Sequence, residues 1–275
     1  MKKNNSILLS TPYILWMLAF TLIPLGVVGY YALTDPVTGA FSWGNLQDLG
    51  MYAGVLWQSV WYSLISAFIC LLLGYPVAYY IAHRSPIAQK FLYMLVMLPM
   101  CMSFLLRTLA WVGLLQDTGI INNLLGLIGL APISMIRTPG AVILGMVYNY
   151  LPYMILPLYG TIVKIDNRLI EAAEDLGCNT VQVFSRVVLP LSMPGILTGI
   201  TMVFVPAVST FYISQKLGGA ETMLIGDVIE KQFKTSHNPN LGAALSLLLM
   251  LLVLGCTNMM SRFGGDEDGE GGVVV

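Results

Sequence analysis

The side chains able to do chemistry are few and scattered. Four cysteines, Cys70, Cys101, Cys178 and Cys256, stand far apart with no C-x-x-C pair. They read as small core residues, neither a disulfide framework nor a metal site. The two histidines, His83 and His237, flank apolar runs on opposite sides of the membrane those runs imply, so no Ser/His/Asp triad or metal cluster assembles from them. No lysine in the chain follows a glycine, so the phosphate-cradling G-x-x-x-x-G-K-[ST] loop is missing and ATP hydrolysis by that route is excluded. Three features remain: one arginine inside an apolar run, Arg107; a set of aromatic side chains; and an ordered charged stretch between Lys164 and Arg186. An aromatic face holds a cation by about 0.5–2 kcal/mol, and a short amphipathic helix inserts its apolar stripe into a partner's groove. The chemistry to expect is binding and movement.

The elements that position these groups follow from composition. The chain has 275 residues, of which 57% are hydrophobic and 10% charged, with 13 Lys+Arg against 14 Asp+Glu. A soluble domain carries about 25% charged residues, so the solvent for most of this chain is lipid. The net charge of −1 leaves no basic footprint for nucleic acid. A helix needs about 20 mostly apolar residues to cross a bilayer, and six runs qualify: about 13–33, 56–82, 91–115, 138–163, 187–215 and 237–261. The opening Met1-Lys2-Lys3 lacks a cleavage site after its apolar run, which reads as a span and not as a signal peptide. With the N-terminus inside, cytoplasmic segments hold eight Lys and Arg against four outside, Arg107 uncounted. Both termini are then cytoplasmic. The chain is read as one membrane domain, 1–263, with an acidic, disordered tail at 264–275.

The spans hold no Asp or Glu, the relay a proton-coupled carrier would bury, and no filter loop or charge ring of a pore. Prolines and glycines punctuate them, including Gly74-Tyr75-Pro76, Pro152, Pro157 and Pro206. Gly195 and Gly199 match small-xxx-small packing, although chance placement facing lipid explains such a pair more often.

The segment at about 166–186 is charged, helix-forming and too long for a turn. Asp166 caps a helix start; Leu169, Ala172, Ala173 and Leu176 form an apolar stripe; Gly177 stands where a left-handed cap requires it. A second helix starts at Asn179, with Gln182 as capping-box partner. From these residues alone, a connector, an interfacial helix and a docking helix all stay open.

Glu171-Ala172-Ala173, then Gly177, then Leu189-Pro190 resembles the EAA motif of binding-protein-dependent ABC importer permeases. Beyond that motif, Leu73-Gly74-Tyr75-Pro76, Leu106-Arg107-Thr108 with Trp111, Asn149-Tyr150-Leu151-Pro152, and Phe211-Tyr212 with Ser214 resemble the polyamine branch of the family. The resemblance implies an all-α, six-helix type I importer fold whose short helix couples to an ATPase through Glu171, Ala172, Ala173, Gly177, Leu189 and Pro190. It implies a second, related permease, two ATP-binding subunits that carry ATP and Mg, and an extracellular polyamine-binding protein. It also implies a bacterial inner membrane and import of spermidine or putrescine. Ferric iron, an opine or a sugar is the alternative cargo, because those branches share the segment.

For a polycation, the candidate path is Trp111, Tyr148, Tyr150, Phe211 and Tyr212. Tyr148 and Tyr159 lie about 20° apart on the helical wheel, with Tyr150 and Tyr153 on the other side, so both pairs cannot line one narrow path. Arg107 would repel such a substrate and would cost at least about 2.5 kcal/mol facing lipid. It reads as a structural charge that pairs with carbonyls or a partner subunit. Asp227 and Glu230 read as exposed loop charges.

Overall fold

The computed structural model describes residues 12–13, 15–35 and 39–264. The basic N-terminal residues and the tail from residue 265 on lie outside the described residues. Every named element is helical: α1 (Leu15–Ala32), α2 (Ala53–Ala82), α3 (Pro86–Met97), α4 (Phe104–Leu115), α5 (Ile120–Leu127) and α6 (Pro139–Ile162). There follow α7 (Asn167–Asp175), α8 (Thr180–Leu191), α9 (Met193–Val208), α10 (Tyr212–Leu217), α11 (Ile225–Lys234) and α12 (Pro239–Gly264). Among the described residues, five helical stretches are long and apolar enough to cross a membrane, α4 and α5 counting together as Phe104–Leu127, or six if the bent pair α8 and α9 counts as one span.

Two runs read as unbroken spans are interrupted. The run 91–115 divides between α3 and α4, because Pro99 sits in a tight turn at Leu98–Cys101 and Met102 and Ser103 are extended (ψ 147° and 129°). The run 187–215 contains the bend at Ser192 and a second break at Ser209–Phe211 before α10. Apolar length alone registers neither break, since none of these residues is charged.

The chain divides into two compact units, 1–54 with 228–252 and 55–227 with 253–275. In the first, Ala32 packs with Ala243 and Ala244, and Asn240 Nδ2 donates to the Thr34 carbonyl at 2.6 Å. Phe233 lies against Gly242, so the end of α11 folds back on the start of α12.

The second unit is built around α6, whose Met146, Met154 and Leu158 are fully buried. Pro152 and Pro157 lie inside α6 without ending it. Its tightest neighbour is α9. A Cβ on Gly195 would lie 2.5 Å from Thr161 Oγ1 and 3.0 Å from the Pro157 carbonyl oxygen, and one on Gly199 would lie 2.7 Å from Met154 Sδ. The Gly195–Gly199 pair is thus a buried contact between helices and not a chance pair facing lipid, as missing side chains let the two backbones approach closely.

Candidate functional site

The 166–186 segment is a pair of short, firmly capped helices. Asp166 accepts a hydrogen bond from the Arg168 amide at 3.0 Å, satisfying a donor at the start of α7. Gly177 ends α7 with φ +86°; its amide donates to the Glu174 carbonyl at 2.8 Å, and the Cys178 amide donates to Ala173 at 3.0 Å. That is the Schellman closure, which favours glycine because a Cβ disfavours positive φ. Asn179 and Gln182 complete the capping box, with both bonds at 2.9 Å. A π turn at Phe184–Val188 follows within α8, and α8 meets α9 at 64°.

The predicted apolar stripe divides in two. Ala173 is buried with Ile165, Ile170, Val183 and Val188, so it closes the α7–α8 hairpin. Leu169 and Leu176 are 49% and 86% exposed, and Val181 is 74% exposed. The helix is rotated so that Ile170 and Ala173 face α8, which leaves the two leucines outside. Glu171 and Ala172 are exposed as well. Leu189 is half-buried and Pro190 exposed, just before the bend.

The aromatic candidates gather as separate pairs. Trp111 on α4 and Tyr148 on α6 meet edge to face at 5.3 Å, with Tyr148 39% exposed. Tyr212 lies 6.2 Å from Phe104, and the Lys216 ammonium sits 5.7 Å from the Tyr212 ring centroid. Phe211, in the break before α10, is exposed. Tyr150 is buried, its hydroxyl donating to the Pro206 carbonyl at 3.3 Å and its ring 6.4 Å from Tyr153. The two tyrosines, which the sequence weighs equally, thus differ in burial: Tyr148 is exposed and Tyr150 is not. Phe104 was not among the sequence candidates. The signal that could have found it is Ser103, a capping residue type that begins α4 one position earlier.

Arg107 is 6% exposed, and its Nε and Nη1 have no hydrogen-bond partner among the described residues. A cation held inside a bundle needs a counterpart, because leaving a buried charge unpaired is strongly destabilising. Asp227, read as an exposed loop charge, is instead buried, with Oδ2 accepting from the Leu224 amide at 2.8 Å at the start of α11. Glu230 pairs with Lys234 at 2.6 Å.

Residues 71–260 match the family described as binding-protein-dependent transport system inner membrane component. The chain belongs to that family. This permease is 42% identical, over 86% of both chains, to the spermidine/putrescine transport system permease protein PotB of Haemophilus influenzae. It is 37% identical to the Escherichia coli (strain K12) PotB, over 86% of this permease and 90% of that relative. In fold it resembles a chain of a bacterial alginate ABC transporter in complex with an alginate-bound periplasmic protein. The TM-score is 0.74 at 18% identity, covering 96% of this permease and 99% of that chain. This permease is therefore an all-helical subunit of an ABC importer in the inner membrane, a transporter component and not an enzyme.

Proposed function

We propose that this permease forms half of the membrane pathway of an ATP-driven polyamine importer, carrying spermidine or putrescine into the cytoplasm. The observation that carries the coupling role is the capped α7, which holds an outward apolar face of Leu169 and Leu176 and leaves Glu171 exposed as well. Covering each such side chain in a partner's groove contributes about 1.5–3 kcal/mol if burial is complete. The partner is an ATP-binding subunit, one of two, which carries the ATP and Mg. Closure of those subunits pulls α7, and the pull passes through α8 and the bend at Ser192 into α9. Glu171, Ala172, Ala173, Gly177, Leu189 and Pro190 are the residues of that contact and its transmission.

The 42% identity to a spermidine/putrescine permease supports the polyamine assignment. So does the Trp111–Tyr148 pair, whose ring faces suit an ammonium group. A second, related permease supplies the other half of the path, and an extracellular binding protein delivers the solute. Both termini lie in the cytoplasm, supported by the excess of Lys and Arg on that side. Residues 1–263 act as one membrane domain and 264–275 as an appended acidic tail. Arg107 is a structural charge whose counterpart comes from the second permease, which the lack of a partner for Nε and Nη1 among the described residues supports.

The test is reconstitution of the whole complex in proteoliposomes with its binding protein and a panel of solutes. Spermidine or putrescine is expected to stimulate ATP hydrolysis, and ferric iron, opines and sugars are not. Stimulation by one of the latter alone would replace the polyamine assignment.

A further inference from the structure

Tyr75 belongs to the Gly74-Tyr75-Pro76 run of α2, which neither the coupling contact nor the aromatic path explains. Its ring is buried, edge-on to Phe184 of α8 at 5.4 Å. Its hydroxyl lies 2.9 Å from Ser192 Oγ. Ser192 is fully buried and is the residue at which α8 gives way to α9. Ser192 Oγ in turn donates to the Leu189 carbonyl at 2.9 Å. A serine hydroxyl has one hydrogen to give. Because Ser192 gives it to Leu189, Tyr75 is the donor in the first bond. The chain of bonds runs from the Tyr75 hydroxyl through Ser192 to the carbonyl of Leu189.

Bonds in series in a low-dielectric interior polarise and strengthen one another, and a buried hydroxyl that loses its partner is costly. The bend at Ser192 has local support as well, since the Ser192 amide approaches the carbonyl oxygens of Val188 at 2.9 Å and Leu189 at 3.2 Å. Only the Tyr75 bond in this set reaches another span. On one side of the bend, α9 is fixed to α6 by the close contacts of Gly195 and Gly199. On the other side, α8 carries a π turn at Phe184–Val188, where the ordinary helical ladder is loosened. Movement of α7 therefore reaches the span bundle through α8, and Tyr75 touches both Phe184 and Ser192.

We propose that Tyr75 and Ser192 form a latch that fixes the α8–α9 bend to α2, so that displacement of the coupling helix moves α2 together with α9. Tyr75 is a positioning residue, acting through Ser192 and Leu189. The inference rests on the coupling role proposed above for Glu171 to Gly177.

The experiment measures uptake per ATP hydrolysed by the full complex in proteoliposomes, alongside complex yield. Tyr75→Phe keeps the ring and its contact with Phe184 and removes only the hydroxyl. It is expected to assemble and hydrolyse ATP while uptake per ATP falls about fivefold, the scale of one lost buried hydrogen bond. Ser192→Ala should give a similar fall, and the double variant no further one, because both remove the same bond. An unchanged ratio in Tyr75→Phe overturns the latch, whether or not yield and hydrolysis fall together as ordinary packing would predict. Should Ser192→Ala fail to assemble, Tyr75→Phe alone decides. Glu171→Lys separates the two ideas: if it uncouples while Tyr75→Phe does not, the latch fails and the coupling role stands. If neither changes the ratio, the coupling role falls and the latch with it.

Discussion

Replacing Gly195 by alanine puts the α6–α9 contact to a quantitative test. The new Cβ would lie 2.5 Å from Thr161 Oγ1, 2.8 Å from Thr161 Cβ and 3.0 Å from the Pro157 carbonyl oxygen. Rotating the Thr161 side chain relieves the first clash but moves neither Cβ nor the backbone oxygen. Ordinary carbon contacts lie at about 3.5–4.0 Å, so the helices must part locally by about 0.7 Å. The expected cost is about 2 kcal/mol, within the range for overpacked cores. Gly199→Ala should cost less, about 1 kcal/mol, because its nearest clash is Met154 Sδ on a flexible side chain. Gly160→Ala is the control: nothing lies within 4 Å of its Cβ position, and alanine gains about 0.5–1 kcal/mol over glycine in a helix interior. Thermal unfolding of the detergent-purified complex should rank Gly195→Ala below Gly199→Ala, and both below wild type and Gly160→Ala. Adding Thr161→Ala to Gly195→Ala should restore part of the loss, since Thr161 Cβ remains. A Gly195→Ala complex that unfolds at the wild-type temperature would refute the close packing of α9 on α6.

The remaining predictions concern the cap of α7 and the buried charge. Gly177→Ala forces a side chain into φ +86° with no neighbour to clash, so its cost is backbone strain of about 1–2 kcal/mol. Faster hydrogen exchange at the Gly177 and Cys178 amides would register it, with Gly177→Asn affected less, and unchanged exchange in the alanine variant would contradict the cap. Arg107→Gln should weaken assembly with the second permease, costing about 2–5 kcal/mol as for the loss of one partner of a buried charge pair. Co-purification of the two permeases measures it; full assembly with lost uptake would make Arg107 a substrate contact instead.

The helical membrane architecture was legible in the sequence because apolar length and charge-bounded runs are direct consequences of a bilayer solvent. The caps of α7 and α8 were legible too, as Asp166, Gly177, Asn179 and Gln182 each act through their nearest neighbours in the chain. What could not be read is what depends on rotation and on distant partners. The face of α7 that meets α8 is set by Val183 and Val188, so Leu169 and Leu176 point outward although their spacing matches a buried stripe. The breaks at Met102–Ser103 and Ser209–Phe211 involve uncharged residues and leave the hydropathy of the run unchanged. Likewise, the Gly195–Gly199 pair resembles chance until Thr161 and Met154 are brought against it.

The most direct test of the central claim, that a partner ATPase drives this permease through α7, is uptake and ATP hydrolysis measured together for Glu171→Lys in the reconstituted complex. The account predicts a complex that inserts and assembles but in which hydrolysis no longer drives polyamine uptake. Wild-type uptake with wild-type hydrolysis in both Glu171→Lys and Gly177→Ala would contradict it.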